Sequence, residues 1–394
     1  MFRHLLKLIW NKKKHHLLLV VEIFVSFLVI FSLTSMLVYY YRNYMKPAGI
    51  DDRNIWQVNY YDVTKPKQID SLRQFYAMMY QQLKNTKGIE EVSFVSNNTP
   101  YSANMHRSSV GINKRNAENT DIYEGTETYA SLLGMQMESG RWYTKDDMAG
   151  KYPPAVIGVA LKEELFPDKN AEGQVVKVDD TEYKVVGVVK EAKYRGDFQE
   201  SGKSVFIPLD TSSLKRNTTI LMKVSPAVFN DANFEGQVYK QLVSWLKGVN
   251  IEIQHLDERH RSMDRLAIIP VIILLIVSAF LIINVALGTF GVLWYNINKR
   301  KGEIGLRRAI GATGMNVNQQ LIGESMVIAT LALLLGCFFA VQFPLLHVFD
   351  IASSTYIIAM VLSVLFIYLL VLLCSIYPGK QAAAIFPATA LHED

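Results

Sequence analysis

The stretch NKRKGEIGLRRAIGATGMN, residues 298–316, is basic and glycine-rich, and a long apolar run lies on each side of it. It contains five Lys or Arg residues, one Glu and four Gly. Short loops between membrane spans carry an excess of Lys and Arg when they face the cytoplasm. The stretch therefore predicts a membrane protein in which this segment is a cytoplasmic loop between two spanning helices.

Four apolar runs are long enough to cross a bilayer, whose hydrocarbon core of about 30 Å needs about 20 helical residues. They cover residues 17–41, 266–295, 321–346 and 356–377. In the 394-residue chain, 50% of the residues are hydrophobic and 20% are charged. The charged fraction is below the value of about a quarter that is usual for soluble proteins. Buried helices of a large soluble core are the alternative, which the length and number of the runs disfavour.

The flanks of the runs predict the orientation. Residues 1–14 contain five Lys or Arg and no acid, whereas the turn HVFDIASST, residues 347–355, contains neither Lys nor Arg. We therefore expect residues 1–16, the loop 296–320 and the tail 378–394 to be cytoplasmic. Residues 1–16 have the pattern of a helix lying in the membrane interface, and a disordered basic tail is the alternative. The net charge of +5 gives no indication of nucleic-acid binding.

The polar segment 42–265 has alternating strand and helix patterns, which predict an extracytoplasmic α+β domain. We expect two lobes. The segments 55–95 and 218–256 form the membrane-proximal lobe, and residues from about 120 to 210 form the distal lobe. The segment 257–266 is expected to continue as a helix into the second span. Both cysteines lie in apolar runs, so this domain does not depend on disulfides.

Motifs for catalysis or metal binding are weak. The segment ESGKS, residues 200–204, resembles the end of a phosphate-binding loop, but Asp197 occupies the position of the first glycine and a strand pattern follows. His255 and His260 are five residues apart, whereas zinc-binding helices place two histidines four apart. We expect no enzymatic activity, metal or cofactor in this chain.

Four polar residues lie within the apolar runs, where they are costly in lipid: Glu22, Asn284, Glu324 and Gln342. Such residues usually face the interior of a helix bundle. Glu22 and Glu324 lie within about two helical turns of the predicted cytoplasmic surface, so placement of their carboxylates at the interface is the alternative.

The basic loop has features that charge alone does not explain. Glu303 and Arg307 are spaced to form an ion pair on a helix, and Ile304, Leu306 and Ile310 provide apolar surface. So short a helix is marginal by itself, so we expect it to be stabilised by docking on another structure.

The segment KRKGEIGLRRAIGATGMNVNQQLIGESMVIATLALLLG resembles the cytoplasmic loop and third span of the MacB/FtsX/LolE superfamily, the type VII ABC transporter permeases. The matching positions are Glu303, Ile304, Gly305, Arg307, Ala309, Ile310, Gly311, Ala312 and Glu324. The ending YPGKQAAAIFPATAL also resembles that of the family, at Tyr377, Pro378, Ala382, Ala383, Pro387, Ala390 and Leu391. The layout of one span, a large domain and three spans is similar, and closest to that of MacB-like permeases without the fused ATPase.

The resemblance implies a permease of the inner membrane that works as a dimer, either of identical or of different chains. It implies that the loop docks on a separate ABC ATPase, which binds ATP and Mg²⁺, and that ATPase closure moves the extracytoplasmic domains. The coupling residues it implies are Glu303, Ile304, Gly305, Leu306, Arg307, Ile310 and Gly311. Membrane lipid, and for a MacB-like system a periplasmic adaptor and an outer-membrane channel, are further implied partners.

Three functions are compatible with this resemblance. The first is export or extraction of a periplasmic substrate, and the second is LolE-like release of lipoproteins. The third is FtsX-like signalling, in which the permease activates a periplasmic partner such as a cell-wall hydrolase and transports nothing. The size of the polar domain favours transport over signalling.

Overall fold

The computed structural model describes residues 13–61, 68–112, 115–167, 169–209, 219–246, 249–346 and 348–384. The chain divides into two compact units, which we describe separately. The helical unit consists of Met1–Arg42 and Ile268–Asp394, and the polar domain is Asn43–Ala267. Residues 1–12 of the expected interfacial helix and residues 385–394 of the expected tail, with Pro387, Ala390 and Leu391, lie outside the described residues.

The described helices and strands are as follows. In chain order the helices are α1 (Lys13–Tyr44), α2 (Ile69–Lys84), α3 (Tyr129–Leu132), α4 (Val159–Leu165), α5 (Ala232–Trp245), α6 (Leu256–Lys299), α7 (Lys301–Ala309), α8 (Gly314–Ala340), α9 (Gln342–Leu345) and α10 (Ser353–Ala383). The strands are β1 (Ile55–Tyr61), β2 (Ile89–Val95), β3 (Arg107–Ile112), β4 (Arg115–Gly125), β5 (Met137–Gly140), β6 (Pro154–Gly158), β7 (Val175–Val178), β8 (Thr181–Val189), β9 (Ser204–Pro208), β10 (Thr219–Val224) and β11 (Asn250–His255). Short 3₁₀ helices cover Lys145–Ala149 and Val348–Asp350.

Four of the described helices are long and apolar enough to cross a membrane: α1, α6, α8 and α10. The four predicted spans are therefore confirmed, and so is the helical continuation of residues 257–266, which belong to α6. The helices extend beyond the apolar runs because a helix satisfies its own backbone in water as well as in lipid. The segment between α6 and α8 is consequently shorter than the predicted loop 296–320 and consists of residues 300–313.

The core of the helical unit is formed mainly by α1, α8 and α10. Its helices approach closely: a Cβ atom on Gly336 would lie 2.3 Å from Cδ1 of Phe27. Small residues at such contacts let helix backbones pack tightly, which is the main source of helix association in lipid. Helix α6 contributes only Val285 to the buried residues of this core, and large apolar side chains along it, including Ile276, Phe280 and Leu287, are exposed.

One half of the polar domain is a four-stranded antiparallel sheet in the order β11-β1-β10-β2. The units β1-α2-β2 and β10-α5-β11 interleave their strands, which is the split βαβ arrangement. Apolar residues of α2 and α5 cover one face of this sheet, with Trp56, Leu72 and Leu242 fully buried among them. Segments from the two ends of the domain therefore form one lobe.

The other half is a ring of strands in the order β4-β3-β7-β8-β6-β9, which closes because β9 pairs in parallel with β4. Small and branched side chains fill it, and α4 contributes Leu161 and Leu165. This ring begins at Arg107 rather than near residue 120, so the predicted start of the distal lobe is wrong. The ring and the four-stranded sheet are joined through the pairing of Val95 with Gly125.

The hairpin β3–β4 was not predicted because its buried positions include polar residues. Asp121 is 4% exposed, and its carboxylate accepts a hydrogen bond from Nε of Arg107 at 2.8 Å and another from Arg195. Thr120 is also buried. Strand β4 therefore lacks an alternating apolar pattern. It still pairs with β3 on one side and with β9 on the other, which closes the ring.

Candidate functional site

The candidate site is α7, the short helix in the connecting stretch, together with the helix ends that hold it. The chain enters α7 through Arg300 and leaves it at Gly311, whose φ of +106° is a conformation that glycine adopts without strain. Thr313 then caps α8, its side-chain oxygen accepting a hydrogen bond from the backbone N–H of Asn316. Glycine and threonine thus set where one helix ends and the next begins.

One apolar side chain of α7 anchors it to three other helices. Ile304 is buried in a cluster with residues of α6, α8 and α10: Leu293, Ile297, Val317, Leu321 and Ala382. Gly305 is buried beside it. Ile304 and Gly305 were predicted as coupling residues, and the structure places the side chain of Ile304 in the interior of the helical unit.

An ion pair connects the start of α7 to α8. Nη1 of Arg300 lies 3.1 Å from Oε1 and 3.3 Å from Oε2 of Glu324. Gln320 also donates to Glu324 Oε1 at 3.2 Å. The Arg300 and Glu324 side chains are 15% and 12% exposed, so the pair is largely shielded from water. Glu324 therefore faces the interior of the unit, and its partner explains how its charge is accommodated.

Two arginines near the end of α7 make further polar contacts. Arg307 is hydrogen-bonded to Glu303, as the spacing of four predicts, and donates from Nη1 to Gln320 Oε1 at 2.8 Å. Arg308 donates to the backbone carbonyl of Ala383 in α10 at 2.7 Å. Helix α7 is thus attached by side chains to both α8 and α10.

Three exposed apolar side chains lie on α7 and just after it, and we call them the α7 patch: Leu306 on α7, Ile310 at its end and Met315 at the start of α8. Their exposed fractions are 54%, 79% and 65%. Leu306 and Ile310 were predicted as coupling residues, and Gly311 between them and Met315 is also exposed. Glu303, Arg307 and Arg308 border the patch, giving a mixed apolar and charged surface of the kind that binds proteins.

The other intramembrane polar residues lie away from α7. Glu22 packs against α6, where a Cβ on Gly288 would lie 2.5 Å from Glu22 Oε2. Asn284 donates to the carbonyl of Phe280 in its own helix at 2.8 Å. Arg42 was not predicted as a contact residue, but its Nη1 donates to Ser354 and Thr355 at 2.7 and 2.9 Å and so joins α1 to α10. In the sequence, Arg42 is visible only as a charge that follows the first apolar run.

The two rejected motifs have other roles in the polar domain. Lys203 forms an ion pair with Glu164, and strand β9 follows it, so this segment lacks the helix of a phosphate-binding loop. His255 lies 3.3 Å from Glu235 and stacks on Trp56. His260 belongs to a different group, with Asp197 and Asp264, whose ligand atoms could hold a metal ion.

Two protein families match the chain. The MacB-like periplasmic core domain matches residues 24–233, and the FtsX-like permease C-terminal family matches residues 275–387. A macrolide export ATP-binding/permease protein MacB of Bdellovibrio bacteriovorus is 23% identical over 285 residues, which are 69% of this chain and 44% of that protein. The uncharacterized ABC transporter permease YknZ of Bacillus subtilis is 24% identical over 64% of this chain and 63% of its own length.

The chain thus spans less than half the length of this MacB relative. Among solved structures, the periplasmic region of MacB from Actinobacillus actinomycetemcomitans is similar over 55% of this chain and 94% of that one. The sequence identity is 17% and the TM-score is 0.40.

Proposed function

Because the chain belongs to the MacB/FtsX-type permease family, we propose that it is the permease subunit of an ABC transporter, and that α7 docks on an ATPase carried by a separate chain. The observation that carries this proposal is the attachment of α7. Its inner face contacts α6, α8 and α10, while its outer face presents the α7 patch.

In the proposed mechanism, movement of the ATPase displaces α7, and α7 displaces the spanning helices. Ile304 transmits the displacement of α7 to the spanning helices through its apolar contacts, and Arg300 transmits it through the ion pair with Glu324. ATP and Mg²⁺ bind on the partner, and this chain supplies no catalytic group. ATP hydrolysis on the partner then moves the polar domain, and no substrate passes between the spanning helices.

We propose a location in the inner membrane, with both ends of the chain and α7 in the cytoplasm and the polar domain in the periplasm. The excess of Lys and Arg around α7 and before α1 supports this orientation. We further propose a dimer of permeases. In this dimer the exposed apolar side chains of α6, such as Phe280 and Leu287, contact the second permease in place of lipid.

Export or extraction of a periplasmic substrate is the function we favour, with an adaptor and an outer-membrane channel as further partners. The match of a MacB-like domain to residues 24–233 supports export over signalling to a periplasmic hydrolase. LolE-like release of lipoproteins uses the same coupling, so the residues of α7 have the same role in either case.

The experiment is a pull-down of the tagged full chain in mild detergent, with Glu303→Lys and Glu303→Gln variants. We expect an ABC ATPase to copurify with the wild type. Glu303→Lys places a third cation beside Arg300 and Arg307 and should reduce the copurified ATPase by about tenfold or more, since like charges repel across a docking surface. Glu303→Gln keeps the size of the side chain and should have the smaller effect.

The proposal fails if no ATPase accompanies the wild type in several detergents. Equal recovery of the ATPase with wild type and Glu303→Lys, combined with equal ATP-dependent activity, would exclude Glu303 from the coupling surface.

A further inference from the structure

His260, in the first turns of α6, is surrounded by three carboxylates from three segments of the polar domain. Asp52 precedes β1, Asp197 lies in the loop after β8, and Asp264 lies one helical turn beyond His260. The side chains of all four residues are between 17% and 27% exposed. Neither the formation of α6 nor the pairing of the strands requires these segments, which are distant in sequence, to bring their charged side chains together.

The imidazole of His260 is held in one orientation. Its Nδ1 lies 2.7 Å from Asp52 Oδ2, and its ring stacks on that of Tyr101 with centroids 4.2 Å apart and an angle of 1° between the planes. When Nδ1–H donates to Asp52, the lone pair of Nε2 points away from that carboxylate. The tautomer and the direction of Nε2 are thereby set by Asp52 and Tyr101.

On its other side the imidazole faces two carboxylate oxygens. Nε2 lies 3.4 Å from Asp197 Oδ1 and 3.5 Å from Asp264 Oδ2. Nε2 is buried and has no hydrogen-bond partner within the described part of the chain, since these contacts are longer than good hydrogen bonds. Both contacts are within ion-pair distance, so the two carboxylates need a cation between them, which is either a proton on Nε2 or a metal ion bound to it.

We propose that His260 Nε2, Asp197 Oδ1 and Asp264 Oδ2 bind a divalent metal ion, for which Zn²⁺ is the best fit. Zinc bonds nitrogen and carboxylate ligands at about 2.0–2.2 Å, and tetrahedral geometry then places two ligand atoms about 3.4 Å apart. Both separations from Nε2, 3.4 and 3.5 Å, agree with that value. Asp52 is in the position of the carboxylate that commonly orients a metal-binding histidine through its second nitrogen.

The remaining atoms of the group are compatible with this assignment. Asp264 Oδ1 accepts a hydrogen bond from the backbone N–H of Asp197 at 2.8 Å, which leaves Oδ2 for the metal. The buried ammonium of Lys193 lies 4.0 Å from Asp197 Oδ1. With a neutral imidazole, three carboxylates and one ammonium leave two negative charges, which a divalent cation would neutralise.

Gly196 explains how the loop comes so close to α6. Its φ is +94°, and a Cβ atom there would lie 2.4 Å from Asp264 Oδ1. A side chain at this position would displace the carboxylate, so the glycine is what permits Asp197 and Asp264 to share a site. Bound metal would fasten the loop after β8 and the segment before β1 to the first turns of α6. This proposal does not depend on the proposed function.

The test uses the full chain in detergent, stripped with a chelator, titrated with zinc chloride and desalted before its metal content is measured. We expect about one zinc per wild-type chain, and a rise in melting temperature with zinc concentration. His260→Gln and the Asp197→Asn/Asp264→Asn double variant should lose both. His255→Gln is the matched control, because it removes a histidine paired with a single carboxylate, and it should keep both.

X-ray absorption of the zinc-loaded wild type provides a readout that does not depend on how the variants fold. One imidazole among nitrogen and oxygen ligands at about 2.0 Å is expected. Failure of the wild type to retain zinc after exposure to micromolar free metal would overturn the proposal, as would a spectrum without imidazole. Equal zinc retention by wild type and a folded His260→Gln variant would overturn it too.

Discussion

Replacing Leu306 and Ile310 together with aspartate is expected to detach the ATPase while leaving the permease folded. Both side chains are exposed in the α7 patch and make no contribution to the buried cluster around Ile304. Burial of a leucine or isoleucine in an interface is worth about 2 kcal/mol, so losing two should weaken binding by about 4 kcal/mol, or about 1,000-fold. The amount of ATPase recovered per permease measures this loss.

The matched control is the double variant Ile69→Asp/Met148→Asp. These side chains are also exposed and apolar, but they lie in the polar domain. The control should recover as much ATPase as the wild type, because it changes hydrophobicity and charge equally at a site away from α7. Normal recovery with the Leu306→Asp/Ile310→Asp variant would show that the ATPase binds elsewhere.

Glu324→Ala is expected to weaken the attachment of α7 to α8. The ATPase should still bind to α7, but its movement should no longer reach the spanning helices. The Arg300 guanidinium would lose its two-oxygen acceptor in a site largely closed to water. Removing one partner of such a pair costs about 3 kcal/mol, because the other charge is left without compensation. We expect a lower melting temperature, faster hydrogen exchange in α7, and loss of ATP-dependent activity with the ATPase still bound.

The control for this prediction is Arg300→Leu combined with Glu324→Leu. Replacing both members of a buried pair by apolar residues is often neutral or stabilising, so this double variant should recover most of the melting temperature. Unchanged exchange in α7 of the Glu324→Ala variant would mean that the ion pair does not hold the helix.

The spans and most strands could be predicted because their signals are local. An apolar run of about 20 residues or an alternating pattern is visible without knowledge of the fold. The Glu303–Arg307 pair is equally local, since a spacing of four places the two residues on one face of a helix.

Pairings between distant segments could not be predicted in this way. The ring of strands closes only when β4 meets β9, and Asp121 is tolerated inside because Arg107 and Arg195 reach it. Ile304 and Ile310 are both apolar and six positions apart, but only the positions of α6, α8 and α10 decide that Ile304 is inside and Ile310 outside. The group around His260 was missed for the same reason, because the spacing of two histidines in sequence was the wrong criterion.

The measurement that tests the coupling account most directly is photo-cross-linking from position 310 in the membrane of living cells. A benzoylphenylalanine replaces Ile310 in one variant and Leu335, an exposed side chain in the apolar part of α8, in the other. The account predicts a cross-linked ABC ATPase from position 310 and none from position 335. Cross-links from position 310 to lipid or to a second permease, with no ATPase, would contradict it.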